Sequence, residues 1–279
     1  MTHLGLPPEL IERARTAART GSYDAVPARD ASTVALLRDA PGGFEVYLLR
    51  RVRAMAFAGG MHVFPGGSVD PADAAAHGDW GGPSASEWAA TLGTDERTAR
   101  ALVCAAVRET FEESGVLLAG SRPDVLLDDV SSDEWEAERH ALEAREHSLS
   151  ELLDRRGLVL RSDLLGGWAR WITPEFEPRR FDTWFFVAAL PEGQRTRNVS
   201  TEADERLWIR PRDALDQLAQ GGLALMPPTV AVLRDLASYD DVASALAAER
   251  TVTPILPKLV VGDGDEVAFL LPGDPGYPG

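Results

Sequence analysis

The sequence predicts an α/β or α+β fold, because strand-like and helix-like segments alternate along its length and no internal repeat appears. Its 279 residues, 44% hydrophobic and 26% charged, suit one large domain with a proper core. Residues 7–19 open with proline and read as a short helix. Residues 32–38 and 44–51 read as two strands joined by Asp39-Ala40-Pro41-Gly42-Gly43, a hairpin. A glycine-rich stretch spans 59–68. In the Ala-, Gly- and Pro-rich segment 71–93, Ser84 and Glu87 have capping-box spacing, and Gly93 ends a short helix. Thr94-Asp95-Glu96 starts the next helix with anions at its positive end, and Gly115 is its left-handed stop.

Two more capping-box spacings, Ser131/Glu134 and Ser148/Glu151, predict a charged, solvated helical pair over 131–156 within an insertion covering 121–170. Residues 181–190 and 205–210 read as strands, the first buried. Helices at 211–220 and 228–248 then open a C-terminal helical extension over 211–279, with a turn at Gly262-Asp263-Gly264.

Charge and composition exclude several functions. The net charge of −16 disfavours sequence-blind binding of nucleic acid or of anionic membrane. Lys258 is the only lysine among 28 basic residues, so no P-loop is present, and no Gly-x-Ser-x-Gly elbow appears. The single cysteine, Cys104, excludes an internal disulfide and a cysteine zinc site, and reads as a small core residue. His62, His77, His140 and His147 lack metal-ligand spacing, and His140 and His147 read as solvated. Trp168, Trp171 and Trp184 read as core. No apolar run is long enough to span a bilayer and the start does not read as a secretory signal, which predicts a cytoplasmic protein.

The chemistry concentrates in Arg108-Glu109-Thr110-Phe111-Glu112-Glu113-Ser114-Gly115-Val116. At about 100° per residue, with Glu109 at 0°, Glu112 falls at −60° and Glu113 at +40°. Val103, Val107, Phe111 and Cys104 lie on the opposite side. The helix should therefore pack one face on a sheet and present three carboxylates on an exposed arc. Clustered like charges cost stability unless cations neutralise them. Oxygen-only donors favour Mg²⁺ or Mn²⁺ over Zn²⁺.

Arg-Glu-x-x-Glu-Glu-x-Gly-apolar, preceded by Phe64-Pro65-Gly66-Gly67, resembles the signature of the Nudix hydrolases, Gly-x5-Glu-x7-Arg-Glu-apolar-x-Glu-Glu-x-Gly-apolar. The resemblance implies an α/β/α sandwich with a mixed sheet and hydrolysis of a diphosphate at a Mg²⁺ or Mn²⁺ site. It implies that Glu109, Glu112 and Glu113 are metal ligands, that Arg108 orients them, and that Gly67 and Gly115 are the box glycines. Two departures stand out. The box spans 14 positions from its first glycine to the arginine, whereas here the span is 41, and Asp73 stands where the box has its first glutamate. The extra length reads as a detachable insertion over 71–93 that walls the substrate cleft, with Trp80 or Trp88 as contacts.

The interrupted box, Arg179-Arg180-Phe181-Asp182-Thr183 after it, and the endings Met226-Pro227-Pro228-Thr229 and Leu271-Pro272-Gly273-Asp274 resemble the coenzyme A diphosphatase branch and its bacterial relatives. The upstream motif of that branch is matched at Leu48, Arg51, Gly60, Phe64, Pro65 and Gly66, and missed at Leu49, Val52 and Ala56. Arg51, Gly66, Gly67, Arg179 and Arg180 are the expected substrate-binding residues. Glu202 and Glu205, in the loop before the Trp208 strand, are with Glu112 the candidate general bases.

The expected substrate is a small molecule with a diphosphate linkage. Coenzyme A or acyl-coenzyme A comes first, ADP-ribose or a nucleotide sugar second, and a non-catalytic ligand sensor is the reading from another class. The expected partners include no nucleic acid and no membrane, and a homodimer stays open.

Overall fold

The computed structural model describes residues 8–20, 25–55, 58–75, 80–199, 201–261 and 267–277. Ala56, His77 and the turn at Gly262-Asp263-Gly264 lie outside them. After α1 (Pro8–Thr20), the hairpin forms as expected from β1 (Arg29–Ala40) and β2 (Gly43–Arg51). Ala40 pairs with Gly43, so Pro41 and Gly42 make the turn, and Gly42 has φ 82°. Short strands β3 (His62–Val63) and β4 (Gly66–Ser68) follow, then α2 (Pro71–Ala74), β5 (Trp80–Gly81), α3 (Ala85–Leu92) and α4 (Glu96–Ser114). Next come β6 (Ala119–Arg122), β7 (Val125–Leu126), α5 (Asp133–Glu143), α6 (Leu149–Arg156), β8 (Val159–Arg161), β9 (Leu165–Ile172), β10 (Phe181–Ala189) and β11 (Ala203–Ile209). The chain closes with α7 (Pro211–Ala219), α8 (Pro227–Leu236), α9 (Val242–Leu246), β12 (Pro254–Ile255), β13 (Lys258–Val261) and β14 (Val267–Leu270).

The main sheet has the order β11-β2-β1-β10-β9-β12, with β3 added beside β2 and β4 beside β1. It is mixed: β1 runs parallel to β10 and antiparallel to β2. Its central strands are apolar at successive positions because both faces are covered. Val34, Leu36, Trp184 and Phe186 point into a core beneath α3 to α6, while Ala35, Leu37, Phe185 and Val187 point into a core beneath α7 to α9. The result is an α/β/α sandwich.

Several sequence expectations need correction. Residues 211–255, expected as an extension, supply the second helical layer and edge strand β12. The single helix expected over 228–248 is two, because Asp241 caps α9 with its own capping box to Ser244. Asp95, not Thr94, caps α4. Ser148/Glu151 and Ser84/Glu87 form the expected boxes, but α5 begins after Ser132, which makes no side-chain cap.

The pair α5–α6 is also not solvated. Leu142, Leu149, Leu152 and the whole of Arg139 are buried, and His147 sits 3.1 Å from Glu138 with only 10% of its side chain exposed. Amphipathic helices turn their apolar stripe inward whatever the charge of the other face. The described parts of segment 71–93, residues 71–75 and 80–93, are equally built in. Trp88 and Leu92 belong to the core, Trp184 Nε1 donates to Leu92 O at 3.2 Å, and Trp80 packs against the core under the Arg100 guanidinium. Its β5 joins β8, β6 and β7 in a four-stranded sheet, so the two insertions brace one another.

Candidate active site

The carboxylate helix α4 is enclosed on nearly every side. Its apolar stripe meets the sheet, and Ser32 Oγ of β1 donates to Leu102 O at 2.7 Å. The arc of Glu109, Glu112 and Glu113 is not open surface, as periodicity suggested. Glu109 is buried, and all three line a cleft of about 1200 Å³. Asp95 caps the start of the helix, and Gly115 at φ 75° ends it and donates to Phe111 O.

Arg108 knits this face together. Its Nη1 donates to Glu109 at 2.9 Å and Glu112 at 3.2 Å, and its Nη2 to Asp73 at 2.9 Å and to Ser68 O at 3.0 Å. Burial, the largest influence, opposes the guanidinium charge, but Glu109, Asp73 and Glu112 outweigh it and its pKa rises. Asp73 is thus placed within the constellation, buried and joined to the arginine. It also accepts from the Asp70 amide in the capping box of α2.

Gly66 and Gly67 sit on β4, facing Thr33 and Ser32 of β1. The Gly66 amide donates to Glu113 Oε2 at 2.8 Å. A Cβ on Gly67 would lie 2.4 Å from Glu109 Oε1, so only glycine lets the loop approach the carboxylate this closely. Burial drives the protonated form of all three glutamates. Glu109 is pushed up to about 7, against the pull of Arg108, with the Glu112 charge adding to the rise. Glu112 is raised by burial, partly relieved by Arg108. Glu113 is raised well above its ordinary value by burial and then by Glu109.

These donors fit a hard divalent cation. All are carboxylate oxygens, they are short of positive charge in a buried site, and the Gly67 backbone is held against one of them. Among the described residues no three acidic, histidine or cysteine side chains form a ready-made ligand group. Arg108 lies between Glu109 and Glu112, and Glu113 is turned to the Gly66 amide.

The structure separates the remaining candidates. Arg51, Arg179 and Glu202 line the cleft, with Arg51 Nη2 3.6 Å from Glu202. Arg51 Nε is buried with no hydrogen-bond partner. Arg180 does not line the cleft, since its guanidinium donates to Thr173 O and Val26 O and ties two loops together. Glu205 does not line it either: it pairs with Arg50 Nη1 at 2.6 Å. Trp80 and Trp88 are absent from its walls, while Phe64, Trp171, Phe185 and Met226 supply an apolar side. The buried Arg139 beneath the site was not anticipated. Its neighbours Glu136 and Glu143 at helical spacing look like ordinary surface pairing in the sequence.

Residues 96–236 match the family model of the NUDT19 Nudix domain. The acyl-coenzyme A diphosphatase NUDT19 of Gallus gallus is 28% identical, over 90% of this chain and 80% of its own length. The Homo sapiens enzyme of that name is also 28% identical, over 84% and 72%. Among solved structures, a Nudix hydrolase from Alicyclobacillus acidocaldarius is 31% identical, with a TM-score of 0.69, over 81% of this chain and 98% of that one. The chain belongs to the Nudix hydrolases and is a diphosphatase of that family. No helix among the described residues is long and apolar enough to cross a membrane.

Proposed function

We propose that this enzyme hydrolyses coenzyme A or acyl-coenzyme A at its diphosphate, releasing 3′,5′-ADP and phosphopantetheine or its acyl form. The similarity to the acyl-coenzyme A diphosphatases over most of both chains supports the substrate class. The observation that carries the reaction is the cleft wall formed by Glu109, Glu112 and Glu113, in which Arg108 bridges Glu109 and Glu112 and the Gly66 amide holds Glu113.

Glu109, Glu112 and Glu113 would hold Mg²⁺ or Mn²⁺. When bound, such an ion neutralises diphosphate oxygens and acidifies a water. Arg108 keeps Glu109 and Glu112 pointing into the cleft and offsets part of their charge. Arg51 and Arg179 bring cationic donors to the phosphates, where bidentate guanidinium contacts orient the substrate. Glu202 or Glu112 accepts the proton of the attacking water; both line the cleft, whereas Glu205 does not.

The test is hydrolysis of coenzyme A, acyl-coenzyme A, ADP-ribose and a nucleotide sugar with Mg²⁺ or Mn²⁺, products identified by mass. We expect 3′,5′-ADP from the coenzyme A compounds at the highest kcat/KM. A higher kcat/KM for ADP-ribose would overturn the substrate assignment, and full activity in excess chelator would overturn the metal assignment.

A further inference from the structure

The C-terminal end of α4 carries Glu112 and Glu113, and the carbonyls of a helix end lack intrahelical partners. Here two arginines from elsewhere in the chain satisfy them. Arg139 of α5, fully buried, donates from Nη1 to Glu112 O at 2.9 Å. The Arg197 amide donates to Ser114 O at 2.8 Å, and Arg197 Nη2 reaches Gly115 O at 3.4 Å and Val130 O at 3.0 Å. A Cβ on Gly115 would lie 2.7 Å from Arg197 Nε, so the glycine that stops the helix also makes room for this contact.

Glu136 joins the two arginines. Its Oε1 accepts from Arg139 Nη2 at 2.6 Å and Nε at 2.9 Å, and its Oε2 from Arg197 Nη1 at 2.7 Å. Arg139 also donates to Glu143, which lines the cleft, and to Val199 O, three residues before Glu202. A buried guanidinium is tolerated only when paired and hydrogen-bonded. Nη1 of Arg139 serves the helix end and Glu143 of the cleft wall, Nη2 reaches Val199 O in the loop before Glu202, and Nε and Nη2 together hold Glu136, which carries Arg197.

We infer that Arg139, braced by Glu136 and Arg197, is a positioning residue that fixes the Glu112–Glu113 end of α4 and the loop before Glu202 in one frame. The inference rests on the metal reading given above. It makes the α5–α6 insertion part of the catalytic apparatus. Cations at a helix C-terminus also oppose its negative end.

The experiment uses the full chain with Arg139→Lys and, in case that variant does not fold, Glu136→Gln, which keeps the volume and removes the shared charge. Three readouts are taken: Mn²⁺ affinity by electron paramagnetic resonance, kcat and KM, and hydrogen exchange of backbone amides over 110–116. Losing a group that orients metal ligands typically costs about 10–100-fold in affinity or activity. We expect a loss in that range in Mn²⁺ affinity and kcat, KM within about 2-fold, and faster exchange at the helix end. Arg250→Met serves as a destabilised control. Arg250 pairs with Asp235 and lies over Trp168, away from the cleft, and its loss should leave Mn²⁺ affinity and kcat unchanged. Wild-type Mn²⁺ affinity, kcat and exchange in folded Glu136→Gln would overturn the inference. Absence of Mn²⁺ binding by the wild type, with kcat and exchange still altered in the variants, would instead overturn the metal reading and leave the positioning role standing.

Discussion

Asp73 and Arg108 form a buried two-pronged ion pair, Nη2 to Oδ2 at 2.9 Å and Nε to Oδ1 at 3.1 Å, across 35 positions of sequence. Asp73 belongs to a one-turn helix and Arg108 to the carboxylate helix, so the pair locks segment 71–93 onto the active site. Breaking a buried pair by removing one partner typically costs about 3–5 kcal/mol. Asp73→Ala should therefore lose about 3 kcal/mol in urea unfolding and also lower kcat, since Arg108 is freed to pair more closely with Glu109 and Glu112. A variant within 0.5 kcal/mol of wild type would mean that Arg108 finds equivalent partners without Asp73.

The same segment should prove indispensable to the fold, against the expectation from its composition. Replacing residues 72–93 by a short linker removes Trp88 and Leu92 from the core, each burial contributing about 1.5–3 kcal/mol, and leaves Arg108 short of Asp73. Together these losses approach the whole stability of an ordinary domain, about 5–15 kcal/mol. We expect insoluble or non-cooperatively unfolding protein, read by circular dichroism during urea titration. A soluble product with a sharp transition would restore the view of the segment as detachable.

This contrast shows what the sequence made legible. The period-3.6 pattern of α4 placed its apolar stripe correctly, because a helix buries what its own spacing aligns. The caps at Ser84, Ser148 and Gly115 and the β1–β2 hairpin were readable for the same reason: their partners lie within a few residues. Whether the carboxylate arc faced solvent or a cleft depended on α2 and α5, which no local pattern ties to α4. Arg139 meets Glu112 O and Val199 O across 27 and 60 residues, and Arg180 spends its charge on carbonyls of two loops. Such long-range partners leave no periodicity. An arginine that holds backbone therefore looked like one that grips phosphate.

The apo enzyme should lose stability as pH rises from about 4.5 to 7. Burial raises Glu109 from its ordinary 4.5 to about 7, so between those values the folded state binds a proton that the unfolded state does not. Stability from that proton is present at low pH and disappears as pH climbs through the folded value, a change of about 3 kcal/mol at about 1.4 kcal/mol per pKa unit. Glu113 is raised in the same direction. In chelator, the stability advantage of Glu109→Gln over wild type should grow between pH 5 and pH 7.5. Parallel pH profiles for the two proteins would show that Glu109 is not held protonated by burial.

Mn²⁺ should reverse this. A cation bound to the folded carboxylates displaces their protons and stabilises by mass action, by about 2.7 kcal/mol at a concentration 100 times Kd. We expect a rise in Tm at pH 7.5 that is absent in the Glu109/Glu112/Glu113 triple alanine. Glu113→Gln should keep the fold, gain slightly in apo Tm, and lose about 100-fold or more in kcat. An equal Mn²⁺ shift in the triple variant would place the ion elsewhere.

The last prediction separates the two carboxylates of the later loop. Glu202 precedes β11, its carbonyl accepts from Val52 N at 2.9 Å, and its side chain reaches the cleft beside Arg51. Glu205 stands in the strand. A register shift between Ala203 and Glu205 sets it opposite Arg50, which it pairs at 2.6 Å, and 3.8 Å from His62. A general base must reach the water it deprotonates, and its loss typically costs about 10²–10⁴-fold. Glu202→Gln should therefore lower kcat at least about 100-fold where Glu202 is the base, whereas Glu205→Gln should stay within about 2-fold. If Glu202→Gln retains kcat and its pH dependence, the proton goes to Glu112. If Glu205→Gln alone is impaired, the strand edge turns during catalysis and brings Glu205, not Glu202, to the water.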